Sequence, residues 1–177
     1  SHQRTGGKHF DGTSRIHING QDLSQMGKLG CFGEEAIVPA TGVSKIDPTM
    51  SLRAAALIGC SVTTGVGTAI YAAGVTPGST VAVIGCGGVG LNVIQGARIA
   101  GATRIIAVDI NDAALEFAGM FGATESVNSN SGDPVKAIKD LTEGKGVDYA
   151  FEAFGSSETI TLAFDSTRKH GTAIIAG

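Results

Sequence analysis

A glycine-rich turn between two apolar segments constrains the fold of this chain more than any other feature. The run from Thr80 to Ile84 is apolar and β-branched, which predicts a buried strand. The turn that follows, Gly85-Cys86-Gly87-Gly88-Val89-Gly90, fits the pattern G-x-G-x-x-G and opens an apolar helix pattern. A second buried strand, Arg104 to Val108, then ends in Asp109. This order of strand, turn, helix, strand and acid is typical of a unit that binds a dinucleotide.

Each part of the turn has a physical role in such a unit. Gly85 permits the tight turn, Gly87 lets the backbone approach a pyrophosphate, and Gly90 lets the helix pack against the sheet. The helix N-terminus offers free N–H groups and the positive end of its dipole to the phosphates. Asp109 is placed to accept hydrogen bonds from a ribose. The alternative is a chance match, because the chain holds 27 glycines; the flanking strands, helix and acid favour the dinucleotide site.

Composition restricts the class of protein further. The chain has 177 residues, of which 42% are hydrophobic, and this suits one α/β domain with some additional chain. A net charge of -3 gives no electrostatic basis for binding nucleic acid. Glycines and polar residues interrupt every long apolar stretch, so we expect no membrane helix. The start at Ser1, with no Met and no apolar signal core, suggests the interior of a longer protein.

The cysteines and histidines do not have the spacing of a closed metal site. An odd count of three cysteines without C-x-x-C spacing predicts neither a disulfide framework nor a four-ligand zinc site, and a reduced, cytoplasmic setting is the default. Cys86 is expected to be a spacer within the turn, although a helix N-terminus is a place where a thiol pKa can fall. We expect the other residues of this group to lie at the surface: Cys31, His2, His9, His17 and His170.

The chain before the glycine turn shows little periodicity. Polar and apolar residues alternate from Ser14 to Ile18, as in an edge strand, and an Asn19-Gly20 turn signal follows. A second strand is predicted within Gly33 to Val38, where Pro39 ends it. Helices are predicted at Leu52–Ile58 and Thr63–Ala73, with an interruption at Gly59 and Cys60.

After Asp109 the pattern alternates between helices and strands. Asp112 is predicted to cap a helix that runs through Phe121, and Asp133-Pro134 to open a helix to about Thr142. Ser156 or Ser157 is predicted to cap a helix to about Arg168. The predicted strands are Glu125–Asn128, Val147–Ala153 and Gly171–Ala176. This alternation predicts an α/β fold, a doubly wound parallel sheet of the Rossmann type with about five strands. The strand order expected is 3-2-1-4-5-6, truncated before the sixth strand.

Several separated motifs occur in a recognisable order. They are Leu57 to Gly67, Pro77-Gly78-Ser79, the glycine turn, Arg104 to Asn111, Gly122 to Glu125, Gly146 to Tyr149, and Phe151-Glu152. Together they resemble the zinc-dependent alcohol dehydrogenases of the medium-chain superfamily. The resemblance implies that residues 1–59 are a remnant of a β-rich catalytic (substrate) domain with its linking helix. It implies that residues 60–177 are the NAD-binding Rossmann domain.

The resemblance also assigns roles to single residues. Cys60 stands where the family has its third catalytic zinc ligand, and Thr64 where a residue packs beside the nicotinamide. Gly88 and Val89 meet the pyrophosphate, and Val89 also backs the nicotinamide. Phe154, with Ser156 nearby, falls at the mouth of the fourth strand, where the adenosine would lie. From the residues alone, Cys60 is more simply a small buried hydrophobe, Thr64 a helix hydroxyl, and Val89 and Phe154 packing residues.

The implied function is hydride transfer between an alcohol and NAD, with zinc as Lewis acid. The family's other two catalytic zinc ligands and its four-cysteine loop do not occur in this chain, and Ala114 replaces a Lys or Arg that many members carry near the ribose. The isolated chain is therefore expected to bind NAD without turnover, and the intact protein to act on an alcohol or aldehyde as a homo-oligomer. The alternatives are a dehydrogenase for polyols or for a thiol adduct of formaldehyde, a non-catalytic nucleotide-binding module, and a methyltransferase.

Overall fold

The computed structural model describes residues 7–25, 29, 34–36 and 38–177. The chain divides into two compact units, residues 1–50 and residues 51–177, called here the N-terminal and C-terminal units. The predicted domain division between residues 59 and 60 concerns the longer protein and stays a prediction. Cys31 and His2, predicted to lie at the surface, fall outside the described residues.

The N-terminal unit contains one short hairpin. Strands β1 (His17–Ile18) and β2 (Gln21–Asp22) pair in antiparallel fashion. Asn19 and Gly20 between them have φ angles of 49° and 80°, which is the left-handed backbone that a two-residue hairpin turn requires. The turn prediction is confirmed, but only the last two residues of the predicted strand are paired.

The second strand predicted in this unit is not found. Residues 34–36 and 38 lie in no strand, while Gly33 and Ile37 fall outside the described residues. The only regular element that follows in this unit's described part is a short 3-10 turn, Ala40–Gly42. Pro39 precedes this turn as its N-cap instead of ending a strand.

The surface position predicted for His9 is wrong. His9 is 7% exposed, and its Nε2 atom lacks a hydrogen-bond partner among the described residues. Ser14 and Gln25 are buried in the same unit, where the Ser14 hydroxyl donates to the carbonyls of Ile16 and Leu23. The described part of this unit therefore buries polar side chains, while apolar ones such as Phe10 and Ile18 are exposed. His17 and His170 are exposed, as predicted.

The C-terminal unit is built on a five-stranded parallel sheet. Its strands are β3 (Thr80–Ile84), β4 (Arg104–Asp109), β5 (Glu125–Asn128), β6 (Val147–Glu152) and β7 (Thr167–Ile175). They lie in the order β5-β4-β3-β6-β7, which is the predicted 3-2-1-4-5. The doubly wound Rossmann-type fold is confirmed, and the strand order reverses between β3 and β6. In open α/β sheets this reversal is where ligands bind, outside the carboxyl ends of the strands.

Helices cover both faces of this sheet, so alternate residues of each strand enter different cores. One core contains Val81, Val83, Ile105 and Phe151, and the other contains Ala82, Ile84, Ile106 and Ala150. Burial on both faces explains why the strands read as continuous apolar runs in the sequence.

The helices between these strands begin and end at residues with specific local chemistry. They are α3 (Gly88–Ile99), α4 (Asp112–Phe121), α5 (Pro134–Leu141) and α6 (Ser157–Ser166), numbered after α1 (Leu52–Leu57) and α2 (Thr63–Gly67). Asn111, and not the predicted Asp112, caps α4 by accepting from the Ala113 N–H, and Gly122 ends the helix in the left-handed conformation. The Ser156 side chain caps α6, which confirms one of the two predicted caps.

The boundary between α6 and β7 lies earlier than predicted. The helix ends at Ser166 and the strand begins at Thr167, whereas the sequence predicted a helix to about Arg168 and a strand from Gly171. Thr167 already pairs with Val147 of β6, and a register shift follows before the pairing of Tyr149 resumes. Residues 167 and 168 therefore belong to strand β7 of the sheet, although the local sequence favours a helix there.

Asp148 joins three neighbouring strands at the amino end of the sheet. Its Oδ2 accepts from the N–H and the hydroxyl of Thr80 at 2.7 and 2.8 Å, and its Oδ1 accepts from Arg168 Nε at 2.6 Å. Burial opposes ionisation, but the bonds from Thr80 and Arg168 hold the pKa of the Asp148 carboxyl below its ordinary value. The three strands β3, β6 and β7 are thus fixed by one carboxylate.

The predicted interruption at Gly59 and Cys60 does not break the helical segment. Leu52–Ala72 is continuous: two π-helical turns, Ile58–Val62 and Thr68–Ala72, follow α1 and α2 in turn. A π turn takes up an extra residue without ending the helix, and such turns recur at functional sites.

The same segment is the single one in the described chain that is long and apolar enough to cross a membrane. Its mean hydropathy is 1.4 over its most apolar 18 residues, of which 11% are buried. It reaches this hydropathy despite its glycines and hydroxyl residues, as core helices of folded proteins also do. The expectation of no membrane helix therefore stays a prediction. In this chain α2 packs on α3 through Gly65, where an added Cβ would lie 2.4 Å from Asn92 Cβ.

Candidate dinucleotide-binding site

The glycine turn lies at the point where the strand order reverses. Gly85 has a φ of 92°, a conformation that favours glycine, and it leads from β3 into α3. An added Cβ at Gly90 would lie 1.8 Å from the Gly85 carbonyl oxygen, so only glycine lets the helix start pack against the turn. At Gly87 an added Cβ would meet nothing within 4 Å. The structure thus gives Gly85 and Gly90 packing roles and leaves the space beside Gly87 open, as an approaching pyrophosphate requires.

The first turn of α3 is available to an anion. Gly87 is the N-cap, and no side chain caps the helix. The terminal N–H groups and the positive end of the dipole of this helix therefore face the loop without a competing acidic side chain.

Asp109 connects the two loops that flank the site. Its Oδ2 accepts from the Cys86 N–H at 2.8 Å and its Oδ1 accepts from the Asn111 N–H at 3.0 Å. Each carboxylate oxygen keeps a free lone pair, since a carboxylate has about four acceptor positions. The carboxylate is therefore held in place and can still accept hydrogen bonds from ribose hydroxyls.

A cavity of about 440 Å³ opens beside this carboxylate. Of the residues predicted from the sequence, Gly85, Gly87, Asp109 and Phe154 line it. The cavity therefore brings together the glycine turn after β3, the acid at the end of β4 and the loop after β6, which is the arrangement that the sequence predicted.

The cavity also contains residues that sequence reasoning missed. These are Ile110, Asn111, Ser129, Thr159 and Leu162. Ile110 is 63% exposed and Phe154 is 71% exposed, so two large apolar side chains that line one cavity are accessible to solvent. The signal for Ile110 was present, because an apolar residue directly after the acid that ends β4 has no strand to pack into.

Thr64 and Val89 lie on elements that pack together, but neither lines the cavity. An added Cβ at Gly65, next to Thr64, would lie 2.5 Å from the Val89 carbonyl oxygen. An added Cβ at Gly88 would lie 3.0 Å from Ser61 Oγ. The segment that carries Cys60 and Thr64 is therefore pressed against the glycine turn, on the side of α2.

Cys60 is exposed within the first π turn. This exposure does not fit the interpretation of Cys60 as a buried hydrophobe. Among the residues that the structure describes, no group of three His, Cys, Asp or Glu side chains is placed to hold a metal ion. Cys60 thus offers one thiol, and the described residues do not complete a group of three metal ligands around it.

Cys86 is a buried packing residue, which supports its interpretation as a spacer. Its side chain is 4% exposed and its thiol lies 3.7 Å from the Val108 carbonyl oxygen. Burial, together with the nearby Asp109 carboxylate, raises the pKa of the Cys86 thiol to about 12. The effect of the helix N-terminus is outweighed, and the thiol is protonated and unreactive at neutral pH.

Comparison with known proteins relates this chain to one group of enzymes. A family model described as zinc-binding dehydrogenase matches residues 88–177. S-(hydroxymethyl)glutathione dehydrogenase of Saccharomyces cerevisiae is 41% identical over 174 residues, covering 94% of this chain and 45% of that protein. Alcohol dehydrogenase 6 of Rattus norvegicus is 44% identical over 170 residues, with the same two coverages. The chain thus spans a little under half the length of the curated relatives that it matches.

A solved structure shares the fold as well as the sequence. Benzyl alcohol dehydrogenase from Acinetobacter calcoaceticus aligns with a TM-score of 0.72 at 38% identity, covering 75% of this chain and 36% of that one. Alcohol dehydrogenase from Thermus sp. ATN1 aligns with a TM-score of 0.70 at 33% identity, covering 75% and 38%.

Proposed function

Because the chain belongs to the zinc-binding dehydrogenase family, we propose that it is the NAD-binding part of an oxidoreductase that transfers hydride between an alcohol and NAD. The observation that carries the proposal is the cavity at the strand-order reversal, which is lined by Gly85, Gly87 and Asp109. A glycine turn, a helix N-terminus and a fixed carboxylate converge there, and these are the groups that recognise a dinucleotide.

The residues at this cavity fit a dinucleotide. Gly87 and the N–H groups at the start of α3 would hold the pyrophosphate, because the space beside Gly87 is open. Asp109, whose orientation the Cys86 and Asn111 N–H groups fix, would accept from the adenosine ribose. The exposed side chains of Ile110 and Phe154, which line the same cavity, would give the adenine ring an apolar surface.

Thr64 and Val89 would serve the nicotinamide end of the cofactor. An added Cβ at Gly65, next to Thr64, would lie 2.5 Å from the Val89 carbonyl oxygen, so the two residues lie on segments in contact. When bound, NAD would supply the nicotinamide ring that accepts the hydride. Val89 and Thr64 would position this ring.

The zinc that the family implies is not supported by this chain's residues alone. A catalytic zinc site has three protein ligands and an open position. Cys60 supplies one, and the described residues do not complete the set of three. Cys60 would therefore be one zinc ligand in the longer protein.

The substrate is proposed from the relatives. Their names include alcohol, benzyl alcohol and S-(hydroxymethyl)glutathione dehydrogenases, so we propose an alcohol or aldehyde substrate. The similarity to S-(hydroxymethyl)glutathione dehydrogenase supports the second candidate, a thiol adduct of formaldehyde. A cytoplasmic location and a homo-oligomeric state of the longer protein complete the proposal.

Calorimetric titration of the 177-residue chain with NAD tests the proposal. Gly87→Ala adds a methyl group that meets no protein atom within 4 Å but stands in the path of the pyrophosphate. We expect unchanged thermal stability and a loss of NAD affinity of about tenfold, or about 1.4 kcal/mol. Gly119→Ala, an exposed helix glycine with the same open surroundings, is the control. Absence of NAD binding by the parent chain, or equal affinity in the Gly87 variant, would contradict the proposal.

A second measurement separates binding from turnover. The chain should produce no NADH absorbance with a panel of alcohols, because its described residues do not form a three-ligand metal site. Stoichiometric zinc with turnover that Cys60→Ala abolishes would show that the chain holds a complete catalytic centre.

A further inference from the structure

The carboxyl group of Glu152 is buried at the carboxyl end of β6. The residue is 0% exposed, although it is a charged side chain beside the cavity. Its Oε1 accepts from the N–H groups of Phe154 and Gly155 at 2.8 and 2.6 Å and from the Thr159 hydroxyl at 2.8 Å. Its Oε2 is buried and has no hydrogen-bond partner among the residues that the structure describes.

This arrangement does not maximise stability. A buried carboxylate oxygen without a partner is costly, because it has lost its water and gained no donor. Burial opposes ionisation of Glu152, but the bonds from Gly155, Thr159 and Phe154 hold the pKa of its carboxyl below the ordinary value. The group is therefore an anion at neutral pH, and all three donors converge on one oxygen. That convergence fixes the turn after β6.

The turn that Glu152 fixes forms a wall of the cavity. An added Cβ at Gly85 would lie 3.2 Å from the Ala153 carbonyl and 3.3 Å from Phe154 Cβ, so the two loops are in close contact. The Ala153 N–H also donates to the Ile84 carbonyl at 2.8 Å. The Phe154 ring itself is largely exposed. Backbone bonds, and not packing of the ring, therefore determine where Phe154 stands.

We infer that Glu152 is a positioning residue for the adenosine end of the cavity, which acts by holding the Phe154–Gly155 turn so that the Phe154 side chain leaves the backbone at the cavity wall before a ligand binds. The inference rests on the proposed function, and it concerns how this chain prepares the site. A preorganised turn raises affinity because its backbone need not be ordered on binding. Glu152 does not touch the ligand, since its own side chain has no exposed surface.

The test uses calorimetric titration of the 177-residue chain with AMP, which probes the adenosine end alone. Glu152→Gln keeps the shape and one acceptor oxygen but replaces charge-assisted bonds by weaker neutral ones. We expect AMP affinity to fall about fivefold, since charge-assisted bonds are roughly twice as strong. The matched control is Glu158→Gln, the same substitution at an exposed acid in the first turn of α6, which should bind AMP like the parent.

A double-mutant cycle decides whether Glu152 acts through Phe154. In the Phe154→Ala background, Glu152→Gln should change AMP affinity less than about twofold, because the ring that it positions is gone. A general loss of structure would instead lower the affinity equally in both backgrounds. If Glu152→Gln does not fold, Thr159→Val, which removes one donor to Oε1, takes its place in the same cycle.

The outcomes separate the two proposals. A parent chain that binds neither AMP nor NAD overturns the proposed function and this inference with it. A parent chain that binds AMP, with an unchanged Glu152→Gln affinity or with equal losses in both backgrounds, overturns the inference alone.

Discussion

Replacing Gly90 by alanine should separate the start of α3 from the glycine turn. The added Cβ would lie 1.8 Å from the Gly85 carbonyl oxygen and 3.0 Å from its carbon, and 3.4 Å from Val83 Cγ1. Two of these neighbours are backbone atoms, which cannot rotate away as the end of a flexible side chain can. Relief of the contact therefore requires the helix and the turn to move apart by about 1 Å.

The expected loss of stability follows from what α3 packs against. The helix buries Leu91, Val93, Ile94 and Ala97, all in the core that also contains Val83. Overpacking typically destabilises by about 1–3 kcal/mol, and forced backbone displacement under a close-packed core adds to this. We expect Gly90→Ala to lower the free energy of unfolding by about 3–5 kcal/mol. For a unit of this size that corresponds to a Tm decrease of roughly 10–20 °C.

Thermal and urea unfolding followed by circular dichroism measure this change. Gly119→Ala is the matched control, because Gly119 is also inside a helix but an added Cβ meets nothing within 4 Å. There the substitution should stabilise the chain by about 0.5–1 kcal/mol, since alanine favours the helix over glycine. A Gly90→Ala chain with a Tm within about 2 °C of the parent would refute the packing role given to this glycine.

Three further predictions concern other parts of the C-terminal unit. NAD should bind more tightly than NADP, because Asp109 repels a 2′-phosphate. In calorimetric titrations Asp109→Ser should reduce the difference in affinity between NAD and NADP. Equal affinity of the parent chain for the two cofactors would contradict this prediction. Strand β7 lies at the edge of the sheet and ends in an apolar stretch, so the chain should self-associate through it. Ile175→Lys should reduce this association. Light scattering that shows a monomer at high concentration for both the parent chain and the variant would contradict self-association through β7. Asp148→Asn should lower stability by about 1–2 kcal/mol at neutral pH. Because the folded-state pKa of Asp148 is depressed, its contribution is present above the ordinary value of 3.8 and is lost as the pH falls below it. The two unfolding curves should therefore converge in acid, and a difference that persists at low pH would exclude the charge as its cause.

Local sequence patterns predicted much of the C-terminal unit. The strand at Thr80–Ile84 begins and ends where the apolar run predicted, because a strand buried on both faces must be apolar throughout. The glycine turn was recognisable because Gly85 and Gly90 meet steric demands that no other residue meets. The predicted roles of Cys60, Thr64 and Val89 stay predictions, since they depend on ligands and on chain beyond these residues.

The sequence by itself determined the order of strands and helices, the glycine turn and the acid after β4, since each depends on neighbours a few residues away. The tertiary structure alone decided the burial of His9, the early start of β7 and the place of Ile110 in the cavity. It also decided that one oxygen of Glu152 holds the turn beside Phe154, and that Asp109 is fixed by the Cys86 N–H, 23 residues away in sequence. The physical reason is that burial and hydrogen bonding depend on which distant segments fold together, and residue periodicity carries only the local part of that information.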